Sequence, residues 1–297
     1  MLDFGAPPLT QRQEGSASGD EVLVPGFRLD QDLTVVEHLG GSPKVDLYLC
    51  RSRLLDRYVA CKVLRPEKCI DFSDLEGIIQ EGQILCRLSH PNVVAGYAVE
   101  LARYPRIVMQ YLQGQTLNNV FFQGNYDAFS LDSMIGIVDQ LARALSYIHG
   151  QELLHLDVKP SNVMYDSGHV TLFDFSVAEE FSADRPLEDN AGTVEYMAPE
   201  QTHRRELGYT TDVFALGVLF YQLLTAGELP YRVVTGPLDD DDRVRRQLEY
   251  EVPPRPPSAL NPKVPSFVDD VALRAVDPDI HRRYQTPLDF RTALARG

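Results

Sequence analysis

The period of the apolar positions changes along the chain, and this change predicts two structural regions. From about residue 27 to residue 112, short runs rich in Val, Leu, Ile and Tyr are separated by turn-like stretches, which is typical of an antiparallel sheet. The runs are LTVVEHLG, VDLYLCR, YVACKVL, VVAGYAVEL and RIVMQYL. One helical interval, DLEGIIQEGQILCRL, has its apolar residues roughly on one face: Leu75, Ile78, Ile79, Leu85 and Leu88. This region is predicted to be a small β-rich lobe with one helix.

After Gly114 the apolar residues follow the helical period. Their i, i+3, i+4, i+7 spacing predicts a core-facing helix over about 131–149, and similar patterns predict three further helices. These cover about 211–226, 266–276 and 286–295. The predicted fold class is therefore α+β, with the small lobe followed by a larger, mainly helical lobe.

Three connecting stretches complete the predicted organisation. Residues 1–25 are rich in Pro, Gly, Ser and charge without a periodic pattern, which indicates a flexible leader. A short hinge near Gln110 to Gly114 joins the lobes, and a cleft between two lobes is a natural ligand site. The stretch 236–265 contains many prolines and an acidic run, Asp239 to Asp242, and we expect the acidic run to be a solvated loop.

Composition narrows the classes of function and partner. A chain of 297 residues, 44% hydrophobic and 24% charged, is ordinary for a soluble globular protein, and its net charge of -15 argues against a nucleic-acid partner. The four cysteines form no C-x-x-C pair and follow no secretory leader, so we expect reduced thiols and a cytoplasmic location. The longest apolar run, at 214–224, is shorter than the roughly 20 residues that span a bilayer, so we expect no membrane segment.

The stretch HLDVKPSNV, residues 155–163, carries an acid, a base and an amide within six positions: Asp157, Lys159 and Asn162. Pro160 between them is incompatible with a helix interior or a central strand. A loop holding chemically active groups is therefore predicted here.

Together with other motifs, this stretch resembles the protein kinase family. HLDVKPSNV, LFDFS at 172–176 and GTVEYMAPE at 192–200 are similar, in that order, to the family's catalytic loop, metal-binding motif and activation-segment end. Upstream, YVACK resembles the strand motif that holds the family's lysine. The resemblance extends over about residues 26–295 and is strongest to bacterial eukaryotic-like serine/threonine kinases. It implies the bilobal kinase fold, with an N-lobe at 26–112 and a C-lobe at 113–297.

The resemblance also implies roles for six residues in the transfer of a phosphoryl group from ATP. Such a transfer needs positioning, cations and an acceptor for the hydroxyl proton. By resemblance, Lys62 contacts the α- and β-phosphates and Glu81 pairs with Lys62; Asp174 and Asn162 hold Mg²⁺; Asp157 accepts the substrate proton; Lys159 neutralises the γ-phosphate. Thr193 is expected to bond Asp157 and Lys159, as in the serine/threonine branch.

A second set of residues is implied to bind the nucleotide base and the phosphate loop. The hinge residues Gln110 and Leu112 would offer backbone groups to adenine, with Met109 behind the base. The remaining implied residues are Leu39, Gly40 and Gly41 in the phosphate loop, and Leu47, Ala60 and Met164 around the base.

Five positions in the N-lobe and the metal-binding motif depart from the family pattern. Ser42 and Val45 occupy the second and third glycine positions of the phosphate loop, with Lys44 at a usually aromatic position, so weaker nucleotide affinity is expected. Ser176 replaces the glycine after Asp174 and Phe175. Gly96 stands where an apolar side chain usually packs between the helix of Glu81 and Phe175, and it leaves either a gap or a space that Tyr97 or Leu85 fills.

A sixth departure concerns regulation. Leu156 replaces the arginine that, in many kinases, captures a phosphate on the activation segment. We therefore expect an enzyme that is not switched on by a phosphate at this segment, where Ser182 is the clearest phosphorylatable position. Supporting contacts are also implied: Asp212 fastens the catalytic loop, and Glu200 pairs with Arg283 or, second, Arg282.

The sequence supports one leading hypothesis and leaves alternatives open. The leading hypothesis is a cytoplasmic Mg²⁺- and ATP-dependent serine/threonine protein kinase whose substrate is a hydroxyl of another protein or its own. The alternative is a pseudokinase that acts as a nucleotide-sensing or scaffolding module, and it is based on Ser42, Val45, Ser176 and Gly96. Phosphorylation of a small molecule is a third option, which the resemblance of GTVEYMAPE to a peptide-docking segment disfavours.

Overall fold

The computed structural model describes residues 22–69, 71–122, 126, 129–181, 192–202, 207–238 and 244–295. Five antiparallel strands and one helix form the first lobe, and the strands lie in the order β1-β2-β3-β5-β4. Their bounds are β1 Leu33–Gly41, β2 Val45–Ser52, β3 Arg57–Leu64, α1 Phe72–Arg87, β4 Gly96–Glu100 and β5 Arg106–Gln110.

The two faces of this sheet have different roles. Because neighbouring side chains on a strand point to opposite sides, the sheet separates a buried apolar cluster from the face that looks toward α1 and the cleft. That cluster comprises Leu29, Leu33, Val35, Tyr48, Cys50, Val59, Cys61, Val63 and Val108. Arg106 ties the N-terminal segment to the sheet through Asp30 and Glu100. The sheet is thus supported from its outer face, which leaves its inner face for the site.

The second lobe is mainly helical, as the apolar period predicted. Its elements are β6 Gln115–Thr116, α2 Leu117–Phe122, α3 Leu131–His149, β7 Leu153–Leu154, β8 Val163–Asp166, β9 His169–Leu172, β10 Glu179–Glu180, α4 Pro199–Thr202, α5 Tyr209–Leu224, β11 Arg232–Leu238, β12 Val244–Glu249, α6 Pro257–Leu260, α7 Phe267–Ala275 and α8 Pro287–Leu294. Helix α3 has the predicted bounds, and the other three predicted helices agree within two residues.

Helix α5 is the centre of the second lobe. Its residues from Thr211 to Leu224 are all buried, and α3, α7 and α8 pack against it. At Gly217 an added Cβ would lie 2.7 Å from the Cβ of Ala275, so glycine lets α5 and α7 approach closely. A helix that is apolar all round has to be buried, which explains this central position.

Part of the stretch 236–265 forms regular secondary structure. Strands β11 and β12 pair as an antiparallel hairpin, and α6 follows within the same stretch. The base of the hairpin is anchored by Tyr250, whose hydroxyl donates to the Met197 carbonyl at 2.8 Å, and by Leu248, which joins a buried aromatic cluster. Residues 239–243, which hold the acidic run, lie outside the described residues, as do residues 1–21 of the predicted leader.

Within the described ranges, no helix combines the length and the apolar character that crossing a membrane requires.

Candidate active site

The stretch from His155 to Val163 forms a loop between β7 and β8, and a short 3-10 turn at Pro160–Asn162 closes it. Leu156 adopts a left-handed backbone with φ of 64°. This conformation is unfavourable for a branched residue and persists only where surrounding contacts impose it.

Asp212 supplies those contacts from the first turn of α5. Its carboxylate accepts hydrogen bonds from the backbone N–H groups of His155 and Leu156 at 2.9 and 2.8 Å. It also bonds His149 Nε2 at 2.8 Å. Burial raises the pKa of Asp212, but His149 and the other hydrogen bonds outweigh it and hold the pKa below its usual value. The expected fastening of the catalytic loop by Asp212 is therefore confirmed.

Asp157 lies at the centre of a polar network that joins two motifs. Lys159 Nζ lies 2.6 Å from Asp157 Oδ2, and Asn162 Nδ2 donates to the same oxygen at 2.9 Å. The hydroxyl of Thr193 donates to Asp157 Oδ1 at 2.8 Å and lies 2.6 Å from Lys159 Nζ. The contact of Thr193 with both residues matches the expectation. A carboxylate held by three donors has one fixed orientation, which general-base chemistry requires.

Lys62 on β3 lies between two carboxylates. Its Nζ is 2.7 Å from each carboxylate oxygen of Glu81 on α1 and 3.3 Å from Asp174 Oδ1. Burial by itself lowers the pKa of Lys62, but Glu81 and Asp174 outweigh it, so the pKa lies above its usual value. The ammonium is therefore charged and fixed, as a group that binds phosphate must be.

Asp174 follows β9 and has a left-handed backbone with φ of 65°. Burial raises its pKa, but Lys62 and a hydrogen bond from the Ser176 side chain outweigh burial and hold the pKa below its usual value. The serine that replaces glycine thus contacts the neighbouring carboxylate directly. Asp174 is ionised at neutral pH.

Asp174 and Asn162 are the oxygen donors implied for a metal ion. Phe173 N donates to the Asn162 carbonyl at 3.0 Å, which keeps the two motifs adjacent. In the part of the chain that the structure describes, no group of three or more His, Cys, Asp or Glu side chains has a metal-binding arrangement. Two protein oxygens suit Mg²⁺, which usually keeps water and phosphate oxygens as its other ligands. The donor set therefore fits a metal that arrives with a nucleotide.

The residues implied to bind the base lie on the inner face of the sheet and at the hinge. Leu47 is paired opposite Lys62, and Ala60 opposite Met109, so these four side chains share one face of the sheet. Three further residues, Gln110, Leu112 and Met164, line a pocket of about 250 Å³ beside the hinge with residues of the β8–β9 region, and Leu47, Ala60 and Met109 are not among its lining residues.

The phosphate-loop residues Leu39, Gly40 and Gly41 end β1. Gly40 has a φ of 138°, which few other residues adopt. At Gly41 an added Cβ would lie 2.5 Å from Asp46 Oδ1 and 2.7 Å from the Val45 carbonyl oxygen. Both glycines are thus required by the turn, although the family's second and third glycine positions hold other residues here.

Gly96 does not leave a gap. An added Cβ there would lie 2.7 Å from the Leu85 carbonyl carbon and 2.8 Å from the Cys86 nitrogen, both in the backbone of α1. The helix itself fills the space, and Leu85 is buried beside it. The Phe175 ring packs edge-on against His155, with centroids 4.8 Å apart. Glycine therefore allows a closer approach of α1 to the sheet and does not loosen the site.

Leu156 points into an apolar cluster where the family usually has an arginine. Leu154 and Leu156 are buried, and Val177, Leu207 and Tyr209 pack against them. Strand β10 of the activation segment pairs with β7, beside this cluster. The beginning of the activation segment is thus attached to the catalytic loop by a strand pair and apolar contacts.

Glu200 and Arg283 form the buried pair that the sequence implied. Arg283 donates to both carboxylate oxygens of Glu200, at 2.8 and 2.9 Å, and its side chain is fully buried. Arg282, the second candidate, instead contacts Asp277 at 3.1 Å and is largely exposed. The preference for Arg283 is confirmed.

One supporting residue was missed at the sequence level. His149 bonds Asp212 and stacks on Tyr209, with ring centroids 4.4 Å apart. It stands at the end of α3, where a lone histidine gives no signal of its contact with a residue 63 positions away. Only the tertiary structure brings the two together.

Comparisons with known proteins agree with this geometry. A family model, the protein kinase domain, matches residues 33–284. The chain is 30% identical over 275 residues to the serine/threonine-protein kinase PrkC of Bacillus subtilis, covering 91% of this chain and 41% of that protein. It is 32% identical over 270 residues to PknB of Mycobacterium tuberculosis, covering 88% of this chain and 42% of that one. The chain thus spans about two fifths of the length of these curated relatives.

Solved structures show the same fold. The PknI kinase domain of Mycobacterium tuberculosis has a TM-score of 0.69 at 25% identity, and the match covers 93% of this chain and 98% of that one. The predicted bilobal kinase fold and the resemblance to bacterial serine/threonine kinases are therefore confirmed. With the motifs in order, the lobes in place and a family match over most of its length, this chain belongs to the protein kinase family.

Proposed function

We propose that this chain is an active serine/threonine protein kinase that transfers the γ-phosphate of Mg-ATP to a protein hydroxyl. One observation carries the proposal: Asp157 is held by Lys159, Asn162 and Thr193 while Lys62 is paired with Glu81. The hydrogen bonds to Asp157 and the pairing of Lys62 with Glu81 are expected together when a kinase is in its active arrangement.

Each polar group of the site then has a distinct task. Lys62 holds the α- and β-phosphates, and Glu81 keeps Lys62 in place. Asp157 orients the acceptor hydroxyl and accepts its proton. Lys159 lies close enough to Asp157 to neutralise charge on the γ-phosphate as it passes between donor and acceptor.

Asp174 and Asn162 would hold Mg²⁺ against the phosphates. The metal would supply positive charge to the transferring group and fix its orientation. The Asn162 amide nitrogen bonds both the carbonyl and the carboxylate of Asp157, so the amide oxygen is directed away from Asp157. The lowered pKa of Asp174 keeps this ligand ionised at neutral pH.

A transfer assay with labelled ATP tests the proposal. We expect the wild type to label a basic protein substrate or itself in the presence of Mg²⁺, and we expect EDTA to abolish the signal. Asp174→Asn removes the charged metal ligand and should lower transfer by about 10²-fold or more. Asp132→Asn, which changes an exposed carboxylate in the first turn of α3, is the matched control and should leave transfer within about twofold.

The pseudokinase alternative predicts a different result. It is based on Ser42, Val45, Ser176 and Gly96, and it requires that nucleotide still binds while no phosphate is transferred. Two contacts disfavour it: Ser176 bonds the metal-binding carboxylate, and the space at Gly96 is filled by α1. Nucleotide binding without labelling in the assay above would establish the alternative.

We propose that the domain is not switched on by a phosphate on its activation segment. The apolar cluster around Leu156 occupies the place of a phosphate-binding arginine, and a buried apolar cluster cannot stabilise a phosphate. Arg87 on α1 contacts Glu180 of β10 at 3.0 Å, which is a further attachment that needs no phosphate.

This proposal about regulation predicts that Ser182 is dispensable. Ser182 lies outside the described residues and is the clearest phosphorylatable position of the segment. Both Ser182→Ala and treatment with a phosphatase should leave the transfer rate within about twofold of the wild type, because the arginine that would receive the phosphate is replaced by Leu156. Loss of activity in Ser182→Ala together with recovery in Ser182→Glu would contradict it.

The remaining parts of the proposal concern extent and setting. We propose a kinase domain over about 26–295, with the lobes meeting between residues 112 and 113, and a cytoplasmic location in which Cys50, Cys61, Cys69 and Cys86 stay reduced. All four are free thiols in this structure, which supports that setting. A protein substrate, rather than a small molecule, is supported by the stretch GTVEYMAPE, which ends at Glu200 and resembles a peptide-docking segment.

A further inference from the structure

The turn between β1 and β2 is held in one shape by its own groups. Ser42 Oγ accepts hydrogen bonds from the backbone N–H groups of Lys44 and Val45, both at 3.3 Å. Ser42 N donates to the Val45 carbonyl at 2.8 Å. Pro43 adds a fixed backbone torsion. The turn therefore lacks the conformational freedom that glycines would give it.

The side chain of Lys44 connects this turn to helix α1. Its Nζ lies 2.6 Å from Asp74 Oδ1, and the Asp74 side chain is only 3% exposed. Lys68 approaches the same carboxylate at 4.0 Å. A carboxylate withdrawn from water depends on its cation partner far more than an exposed one does. Asp74 therefore holds Lys44, and with it the turn.

The base of the turn is anchored as well. Arg65, which follows β3, donates its backbone N–H to the Lys44 carbonyl at 3.0 Å and its guanidinium to Asp46 Oδ1 at 3.2 Å. His38 contacts the same Asp46 oxygen at 3.1 Å. Because these contacts fix the base of the turn to the sheet, movement of the rest of the turn is transmitted to α1 mainly through Lys44.

Asp74 and Glu81 lie on the same face of α1. They are seven residues apart, which is close to two helical turns. Glu81 bonds Lys62 on β3, so the helix is tied to the sheet at one point and to the turn at another. Rotation of α1 or its movement away from the sheet would break both contacts.

We propose that Lys44 and Asp74 are positioning residues whose ion pair couples the phosphate-covering turn to the helix that carries Glu81. This proposal rests on the proposed kinase function, because it assigns the turn to the nucleotide phosphates. The turn and α1 take their active positions together, and nucleotide held under the turn favours the contact between Lys62 and Glu81. The turn, whose shape its own hydrogen bonds hold, is thereby also held in position relative to α1 by the charge of Lys44.

A double-mutant cycle tests the coupling. Lys44→Met, Asp74→Asn and the double variant are compared with the wild type for kcat, for the KM of ATP and for the Kd of Mg-ATP by titration. We expect each single variant to lower kcat/KM for ATP by about 5–20-fold and the double variant to be no worse than either, because both remove one interaction. Lys44→Arg, which keeps the charge, should stay within about threefold of the wild type.

Lys68→Met is the matched control, because it removes the same charge near Asp74 without touching the turn. It should stay within about twofold of the wild type. Effects of the two single variants that multiply in the double variant, or a Lys68→Met effect as large as that of Lys44→Met, would overturn the coupling. The double-mutant cycle on the Kd of Mg-ATP keeps the two proposals distinguishable. Absence of transfer by the wild type refutes the kinase function. Absence of coupling between Lys44 and Asp74 in the Kd of Mg-ATP refutes only the positioning role.

Discussion

Replacing Asp157 with asparagine is expected to lower the rate of phosphoryl transfer by about 10²–10⁴-fold while nucleotide binding persists. Asn keeps the size of the side chain and can still accept a hydrogen bond from Thr193, but it cannot accept the hydroxyl proton of the substrate. Lys159 and Asn162 both contact Oδ2 of Asp157, and in the variant one of the two carboxylate oxygens is replaced by an amide nitrogen. We therefore expect the loss in kcat and only a small change in the KM of ATP.

The measurement is steady-state transfer with varied ATP, combined with a nucleotide titration and a thermal melt of each protein. Lys159→Met provides a second variant in the same network, and its loss should be smaller because the proton acceptor remains. Transfer by Asp157→Asn at more than about a tenth of the wild-type rate would contradict the assignment of Asp157 as the base. A variant that loses nucleotide binding along with transfer would indicate a different role for this loop.

Replacing Glu200 with glutamine is expected to produce the largest loss of stability. Arg283 is fully buried, and its two guanidinium contacts with the carboxylate are the only neutralising ones in the described part of the chain. Its other hydrogen bonds go to the carbonyl oxygens of Thr210, Asp277 and Pro278, which carry no full charge. Leaving a buried charge without its counter-ion costs about 3–5 kcal/mol of unfolding free energy.

A thermal or denaturant melt measures this loss, which corresponds to a decrease of the melting temperature by roughly 6–20 °C. The matched control is Arg282→Met, which removes an exposed pair with Asp277 and should cost less than about 1 kcal/mol. Transfer should also fall, because Glu200 accepts a hydrogen bond from Thr211, next to Asp212, which holds the catalytic loop. Equal losses of unfolding free energy in Glu200→Gln and Arg282→Met would show that burial of the Glu200–Arg283 pair contributes little to stability.

Local patterns were sufficient where the structure depends on a single repeating face. The helix at 131–149 and its apolar stripe were predictable because every third or fourth position is apolar. In the structure, Ser130 also caps its first turn. The apolar pattern did not predict the hairpin of β11 and β12. Its strands contain Gly236 and Pro237, and their pairing depends on anchoring by Tyr250 and Leu248 to distant residues.

Gly96 shows why departures from a family pattern are difficult to interpret from sequence. A missing side chain suggested either a cavity or a replacement by a neighbour, and the sequence has no measure of how closely α1 approaches β4. The structure places the helix backbone in that space. The effect of Ser176 was equally undecided, because the sequence alone does not show that its side chain hydrogen-bonds Asp174.

The sequence by itself determined the family, the order of the motifs and the identity of the residues that the chemistry needs. These follow from residue type and spacing, and both can be read from short segments of the chain. Only the tertiary structure decided that Lys44 meets Asp74 and that His149 meets Asp212, whereas the pair of Glu200 with Arg283 was already preferred from the sequence. The reason is physical. Ion pairs between distant segments are fixed by how helices and strands pack, and packing depends on the whole core rather than on any one segment of the chain.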